Sequence, residues 1–467
     1  MPIDRRSVWG AGLGAGVSLA AGTAEARPHA FENAASGASQ LVAAKGELDA
    51  GQFGILAGGN GDQSGPLQRA IDAAASSRSR LQLPPGRYLA SGLALRAGTM
   101  ISGTPGASII AYAGGGEFVR AGDAADIRLY GLTFDGNAKP LALSRTSALL
   151  AFTRCHNLDL TELQISNGLL NGLTLSECSG LVSRCKIEHC GNAGVFSTDA
   201  APADGGLELS HNSVSDCGNN GMLVWRSKAG EDGTRVSHNR IARIAARAGG
   251  TGQNGNGINI FRAHGVQVSN NRIDACAFSA VRGNGASNLQ VMGNACNRLG
   301  EVALYAEFGF EGVIIAHNLV DGAAHGISVT NFNEGGRLAV VQGNLIRNIQ
   351  LRVGDAEPRG YGISVEADAA VTGNVIEGAP TVGLTIGWGR WMRDVVASGN
   401  MIRGCRIGIG VSGSAGAGRA LLSGNMICGS REGAIRAMEQ ARPFGPDLAQ
   451  PGAAQLAHIT LAGNAAA

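Results

Sequence analysis

The 467 residues carry a formal net charge of +2, with 16% charged and 44% apolar residues. That balance excludes a disordered chain and gives no charge-based case for a polyanionic partner such as nucleic acid. Glycine is abundant, 73 residues against 13 prolines. Without a Gly-X-Y period this is not collagen but a chain with many tight turns between short strands.

Residues 1–26 read as an address. Arg5 and Arg6 precede a small apolar stretch from Gly10 to Ala24, and Ala24-Glu25-Ala26 fits a cleavage site before Arg27, as in a signal peptide. Asp4-Arg5-Arg6-Ser7-Val8-Trp9 resembles a twin-arginine export signal, with Val8-Trp9 where Phe-Leu is commonest. The expectation is a periplasmic or secreted protein handed over by the twin-arginine export machinery, the ordinary secretory route being the alternative. No stable membrane anchor would remain after cleavage.

Residues 27–47 form a linker, and 48–110 differ in pattern from the rest of the chain. Phe53-Gly54 precedes Pro66, and Leu67, Ala70, Ile71 and Ala74 fall at helical spacing, which predicts a short helix with proline in its first turn. Leu83-Pro84-Pro85-Gly86-Arg87-Tyr88 then reads as a turn into a strand. A helix here would cover the open end and unpaired edge of a stacked β structure.

From 111 to 440 two patterns recur. The first places Asn before an apolar pair, at Asn239-Arg240-Ile241, Asn271-Arg272-Ile273, Asn344-Leu345-Ile346, Asn374-Val375-Ile376 and Asn400-Met401-Ile402. Asn212, Asn294, Asn318 and Asn425 continue it, so successive Asn residues lie from 23 (Asn271 to Asn294) to 32 (Asn239 to Asn271) apart. The second is Gly-apolar-x-apolar, as in Gly257-Ile258-Asn259-Ile260, Gly326-Ile327-Ser328-Val329, Gly362-Ile363-Ser364-Val365 and Gly383-Leu384-Thr385-Ile386. One such coil cannot bury its inner face, whereas stacked coils make a continuous core. The Asn column is expected at a repeated sharp turn, where Asn tolerates left-handed geometry and its amide bonds to neighbouring coils. The fold class is therefore all-β: a parallel β-helix of about eleven coils with an N-terminal capping helix and a cap or tail over 441–467.

The Phe-Gly turn, the helix and the Leu-Pro-Pro-Gly-x-Tyr strand between Phe53 and Ile110 resemble the start of pectin-lyase-like right-handed parallel β-helix proteins. Asp135-Gly136-Asn137 after Leu132-Thr133-Phe134 also echoes that superfamily. With the arginine pair and the Asn repeats, nearly the whole chain resembles the twin-arginine-translocated repeat proteins of bacteria. That family brings no assigned reaction. The resemblance implies a substrate laid across one exposed parallel sheet, in a groove walled by loops.

Nine Cys is an odd number, so at least one thiol has no partner within the chain. Cys190, Cys217, Cys276 and Cys405 occupy equivalent places and read as small core residues. A disulfide between neighbouring coils, Cys190 to Cys217, is also allowed by the rung spacing. No CxxC pair or zinc-type His/Cys spacing occurs; no metal site is expected and any cofactor is unknown.

The x positions of the second pattern point outward, and with the residues two further on they give two columns. One reads Asn259, Arg282, Tyr305, Ser328, Ser364 and Thr385; the other reads Trp225, Phe261, Asn284, Glu307, Thr330 and Glu366. Arg282, Tyr305, Glu307 and Glu366 are the candidate catalytic residues, with Trp225, Asn259, Phe261, Asn284 and Thr330 as substrate contacts. An Arg or Tyr beside a uronate ring would serve elimination or C5 epimerisation, with a second group stabilising the carboxylate. Glu307 and Glu366, two coils apart, would instead suit an inverting glycosidase. Loops holding Glu231-Asp232, Asn331 to Glu334 and Asp355-Ala356-Glu357 would wall the groove. His264, His317, His325 and Asp135 read as turn residues. Two functions are compatible with these residues: an exported protein acting on an acidic polysaccharide, or a non-catalytic glycan-binding or cell-envelope scaffold protein.

Overall fold

The computed structural model describes residues 46–142, 148–250, 252–352, 359–453 and 456–467. The expected signal peptide, nearly all of the linker, and Asp355-Ala356-Glu357 lie outside them. Short strands take their places in three sheets in rotation, except that the first two share sheet A and Ile435–Glu439 and Arg442–Asp447 share sheet C. Sheet A has 16 strands, from Glu47–Asp49 to Ile459–Ala462. Sheet B has 15, from Gly86–Ala90 to Ala465–Ala466, and sheet C has 15, from Leu93–Leu95 to Arg442–Asp447. The chain winds right-handedly, the hand that parallel crossovers take, through about 13 turns. Among the described strands, the one antiparallel pair closes sheet C, where Ile435–Glu439 turns back on Arg442–Asp447. At the other end the helix Ser64–Ser77 buries Leu67, Ala70, Ile71 and Ala74.

One buried cluster runs from Ala50 to Ile459, with a small separate one of Tyr361, Val382, Ile407 and Met438, as expected when each coil buries its inner face only against its neighbours. The corner between sheets A and B is held by an asparagine ladder. Asn344 is typical: its backbone N–H and its Nδ2 both donate to Asn374 Oδ1, at 3.0 and 2.9 Å, and Nδ2 also donates to the Ile315 carbonyl at 3.0 Å. The same bonds link the ladder from Asn212 through Asn425 to Asn464. Water is excluded, since Asn212, Asn344 and Asn425 are each 1% exposed, so the ladder supplies partners that the corner's backbone could not find in solvent.

Two expectations are corrected here. The left-handed residue is the one before each Asn, for example His211 (φ 60°), Asn270 (φ 56°) and Gly399 (φ 62°), because the Asn itself must face inward. The coils also outnumber the Asn repeats. Leu132, Leu163 and Cys185 hold the same corner in three earlier coils, each after a left-handed residue, Gly131, Glu162 and Arg184. These coils fill the corner with apolar side chains, and an Asn pattern cannot count them.

The two sequence patterns are halves of one contact. A Cβ on Gly257 would stand 2.6 Å from Ile273 Cγ2, and one on Gly326 would stand 2.7 Å from Ile346 Cγ2. Where Ile stands two residues after a ladder Asn, as at Ile273 and Ile346, it packs into space that Gly leaves open. All nine cysteines are free thiols, eight of them buried. Cys190 and Cys217 share one corner as thiols, and the Cys217 thiol beside Cys190, together with burial, pushes the Cys190 pKa well up.

Candidate functional site

Period-two alternation puts Ile258 and Ile260 into the core and Asn259 and Phe261 on the outer face of sheet C. Both expected columns are in register. Asn259 pairs with Arg282, Arg282 with Tyr305, Tyr305 with Ser328, and the row continues through Ser364 to Thr385. Trp225 pairs with Phe261, Phe261 with Asn284 and Asn284 with Glu307. Thr330 and Glu366 directly follow the paired Val329 and Val365.

The columns are not the open surface expected of outward residues. Asn259, Arg282, Glu307 and Glu366 are buried, while Trp225, Phe261, Asn284, Tyr305 and Thr330 are half-buried. The loop before Asn256–His264 lies over them: a Cβ on Gly252 would collide with the Arg282 guanidinium.

Under that loop is an ionic knot. Arg282 Nε and Nη2 donate to Glu307 Oε1 and Oε2 at 2.7 and 2.9 Å, and Asn284 Nδ2 donates to Glu307 Oε1 at 3.1 Å. Arg282 Nη1 also lies 3.6 Å from Glu301 Oε2, whose second oxygen meets Arg359 Nη2 at 2.7 Å. Two arginines and two glutamates thus balance in charge. Burial pushes the Glu307 carboxyl up from the usual carboxylate range, and Arg282 pulls it back only in part. The Arg282 guanidinium sits 5.1 Å over the Tyr305 ring, and burial raises the Tyr305 phenol far above its ordinary value. Glu366 is engaged elsewhere, accepting the Phe332 N–H at 2.8 Å.

Aromatic rings flank the knot on both sides. Trp225 meets Phe196 edge-on at 5.3 Å and Phe261 at 5.6 Å, and Trp225 Nε1 donates to Asn259 Oδ1 at 3.3 Å. The exposed Arg262 lies over Phe261 at 4.7 Å. Beyond Glu366, Phe332 stands edge-on to Trp391 at 6.1 Å, with Arg393 over Phe332 and Arg390 over Trp391. Sequence reasoning placed Phe332 in a wall loop and missed Phe196, Glu301, Arg359 and Trp391. Phe196 had a signal, the x position of Gly194-Val195-Phe196-Ser197, obscured because Ser197 replaces the second apolar residue. Arg359 and Trp391 lie on loops with no period to reveal them.

This arrangement is poorly suited to a glycosidase, whose two carboxylates must exchange protons with substrate and water; Glu307 and Glu366 are both engaged within the protein. It is well suited to holding a ligand by ring faces and guanidinium groups. Away from this face, an open cleft of about 680 Å³ lies at the corner between sheets C and A and is lined by Asp123, Arg154, His156, Glu177 and Asp199. Its charges are largely spoken for: Arg154 pairs with Asp123, and Asp199 accepts from the Ser227 N–H. Among the described residues, no His, Cys, Asp or Glu group is placed to hold a metal ion, and no helix is long and apolar enough to cross a membrane.

Fold and face together define a right-handed parallel β-helix with one aromatic and arginine-rich sheet. The sequence matches the family described as right handed beta helix region over residues 106–241 and 229–400, more than half of its length, and the chain belongs to that family. No curated protein matches it. Among solved structures it is similar to the N-terminal fragment of bacteriophage Phi29 gene product 12, with a TM-score of 0.57, 14% identity, and coverage of 90% of this chain and 71% of that one. It is also similar to the pre-mature Phi29 gene product 12, at 0.51 and 13%, covering 84% of this chain but 55% of that one. The A-module of mannuronan C-5 epimerase AlgE4 from Azotobacter vinelandii gives 0.47 and 16%, covering 69% and 96%. At these identities the likeness is one of fold.

Proposed function

We propose that the protein binds an acidic polysaccharide along the outer face of sheet C, as a glycan-binding protein rather than a hydrolase. The observation that carries this is the shelf of Phe196, Trp225 and Phe261 with Arg262 over its end. Ring faces take the apolar faces of sugar rings, and the exposed Arg262 and Lys228 take carboxylates at the edge. Phe332 and Trp391 with Arg390 and Arg393 repeat that chemistry three to five rungs beyond Phe261, about 14 to 24 Å away, a length suited to an extended chain. Between them the knot fixes the backbone and leaves Asn284 and Thr330 half-open. Export to the periplasm or beyond is part of the same proposal, supported by the Arg5-Arg6 segment and checked by cell fractionation.

Calorimetric titration with oligouronates and with neutral oligosaccharides of equal length tests the reading. Uronates are expected to bind, more weakly as salt rises, and Trp225→Ala is expected to weaken binding about 10-fold. Equal affinity for neutral chains, or no binding by either set, would sink it. An unsaturated or epimerised uronate product in the same mixtures would replace binding with catalysis.

A further inference from the structure

A different face changes character halfway along the molecule. One outward row of sheet A, the second in from the Asn corner, reads Asp159, Leu181, Glu208, Arg235, Gln267 and Gln290 in six successive coils. The next five read Ile314, Val340, Ala370, Val396 and Leu421. Across the corner, sheet B makes the same change in the same coils. Gln164, Lys186, Ser213, Arg240, Arg272 and Ala295 give way to Leu319, Leu345, Val375, Met401 and Met426.

These apolar side chains are open: Ile314 is 40% exposed, Val396 38%, Met401 38% and Met426 51%. Five rungs make a strip about 20 Å long. Its exposed side chains amount to on the order of 600 Å² of apolar surface, at the upper end for one patch on a monomer and close to the roughly 800 Å² per partner of a standard interface. Its borders are charged but internally neutralised. On one side Arg393 pairs with Asp368 and Arg419 with Asp394; on the other Arg347 pairs with Asp321 and Arg403 with Glu377.

We infer that this face joins two copies of the chain. Two apolar rows flank a narrow seam of Ala316, Gln342, Thr372, Ser398 and Ser423 at the corner, and apolar surface inside a charged rim is the anatomy of a protein interface; the area of the two rows suffices for a stable pair. A second copy fits because the strip repeats at one rung spacing along both sheets: a two-fold axis through its middle lays the same side chains into each other's gaps, residue i on j and j on i. The rim's internally paired charges place no unpaired like charges opposite each other. This surface lies on sheets A and B, away from the face proposed for glycan, so the two readings stand or fall separately.

The test is sedimentation of the full chain at up to about 100 μM, well above the micromolar range reached by a standard interface. A mass of two chains is expected. Val396→Lys with Met401→Lys, both at exposed positions, is expected to give a single-chain mass with unchanged circular dichroism, weakening association at least about 100-fold because each lysine enters a two-fold interface twice. Arg235→Ala with Arg240→Ala, in the same rows of the polar half, is expected to leave the pair intact. A single-chain mass for the unaltered protein, or an oligomer that the two lysines leave unchanged, overturns the inference.

Discussion

Arg282 and Glu307, side by side on adjacent coils, close a two-pronged ion pair at 2.7 and 2.9 Å beneath the loop that carries Gly252. Such a pair is costly to break singly, because the survivor stays buried and charged. Glu307→Gln is expected to cost about 3–5 kcal/mol, whereas Arg282→Met with Glu307→Leu is expected to recover most of that. Thermal unfolding of the three proteins checks this. A Glu307→Gln protein as stable as the parent would mean that the pair contributes nothing. Glycan binding is expected to survive in the double variant, since Trp225 is oriented by Asn259 and not by the pair.

Along the ladder, Asn344 satisfies groups on both neighbouring coils. Its truncation to Ala strips the Ile315 carbonyl of its donor and the Asn318 N–H of its acceptor. Each orphaned buried group costs about 1–3 kcal/mol, so a loss of about 3 kcal/mol or more is expected. Asn464→Ala, at the half-buried last rung, is expected to cost about 1 kcal/mol, because water can reach what it exposes. Unfolding midpoints compare the two, and hydrogen exchange at the Asn318 amide localises the first. Equal losses at both sites would contradict a ladder that works by excluding water.

How much of this could be read beforehand depended on period. The outward columns of sheet C follow from two-residue alternation, so Arg282, Tyr305 and Glu307 could be aligned without coordinates. Their burial could not, because the covering loop and the partners Glu301 and Arg359 lie outside the strand pattern. The ladder was legible where Asn marks the corner and silent where Leu132, Leu163 and Cys185 fill it with apolar volume. The apolar strip from Ile314 to Met426 was also in the sequence, but single apolar residues in outward positions signal nothing until stacking lines them up.

Acid sensitivity is expected from the exposed Arg–Asp pairs at the corners. Hydrogen bonds from Arg243 hold the Asp216 carboxyl at about 2, below its unfolded value of about 3.9. A carboxylate lowered in this way stabilises the fold above its unfolded pKa, and the contribution disappears as pH falls through the folded value. Solvent screening limits the pair to about 0.5 kcal/mol. Arg243→Gln is therefore expected to lower the melting temperature by a constant small amount from about pH 7 to 5. The difference should then shrink to nothing as pH falls from about 4 to 2. A gap that stays constant to the lowest pH would assign the effect to packing rather than charge.

The Gly–Ile contact gives the sharpest test of how the two sequence patterns combine. A methyl group on Gly257 would press on Ile273 Cγ2 at 2.6 Å and on the Ala280 carbonyl at 2.9 Å, and neither lies at the end of a flexible side chain. Gly257→Ala is expected to cost about 1–3 kcal/mol through overpacking. Ile273→Ala alone opens a cavity and is expected to cost about 2–5 kcal/mol. Made together, the two changes should cost less than their sum, since the methyl group enters space that the isoleucine vacates; a coupling of about 1 kcal/mol or more is expected. A four-protein unfolding cycle measures it. Strict additivity would mean that glycine is needed there for its backbone alone, and that the repeat couples its Asn and Gly segments in some other way.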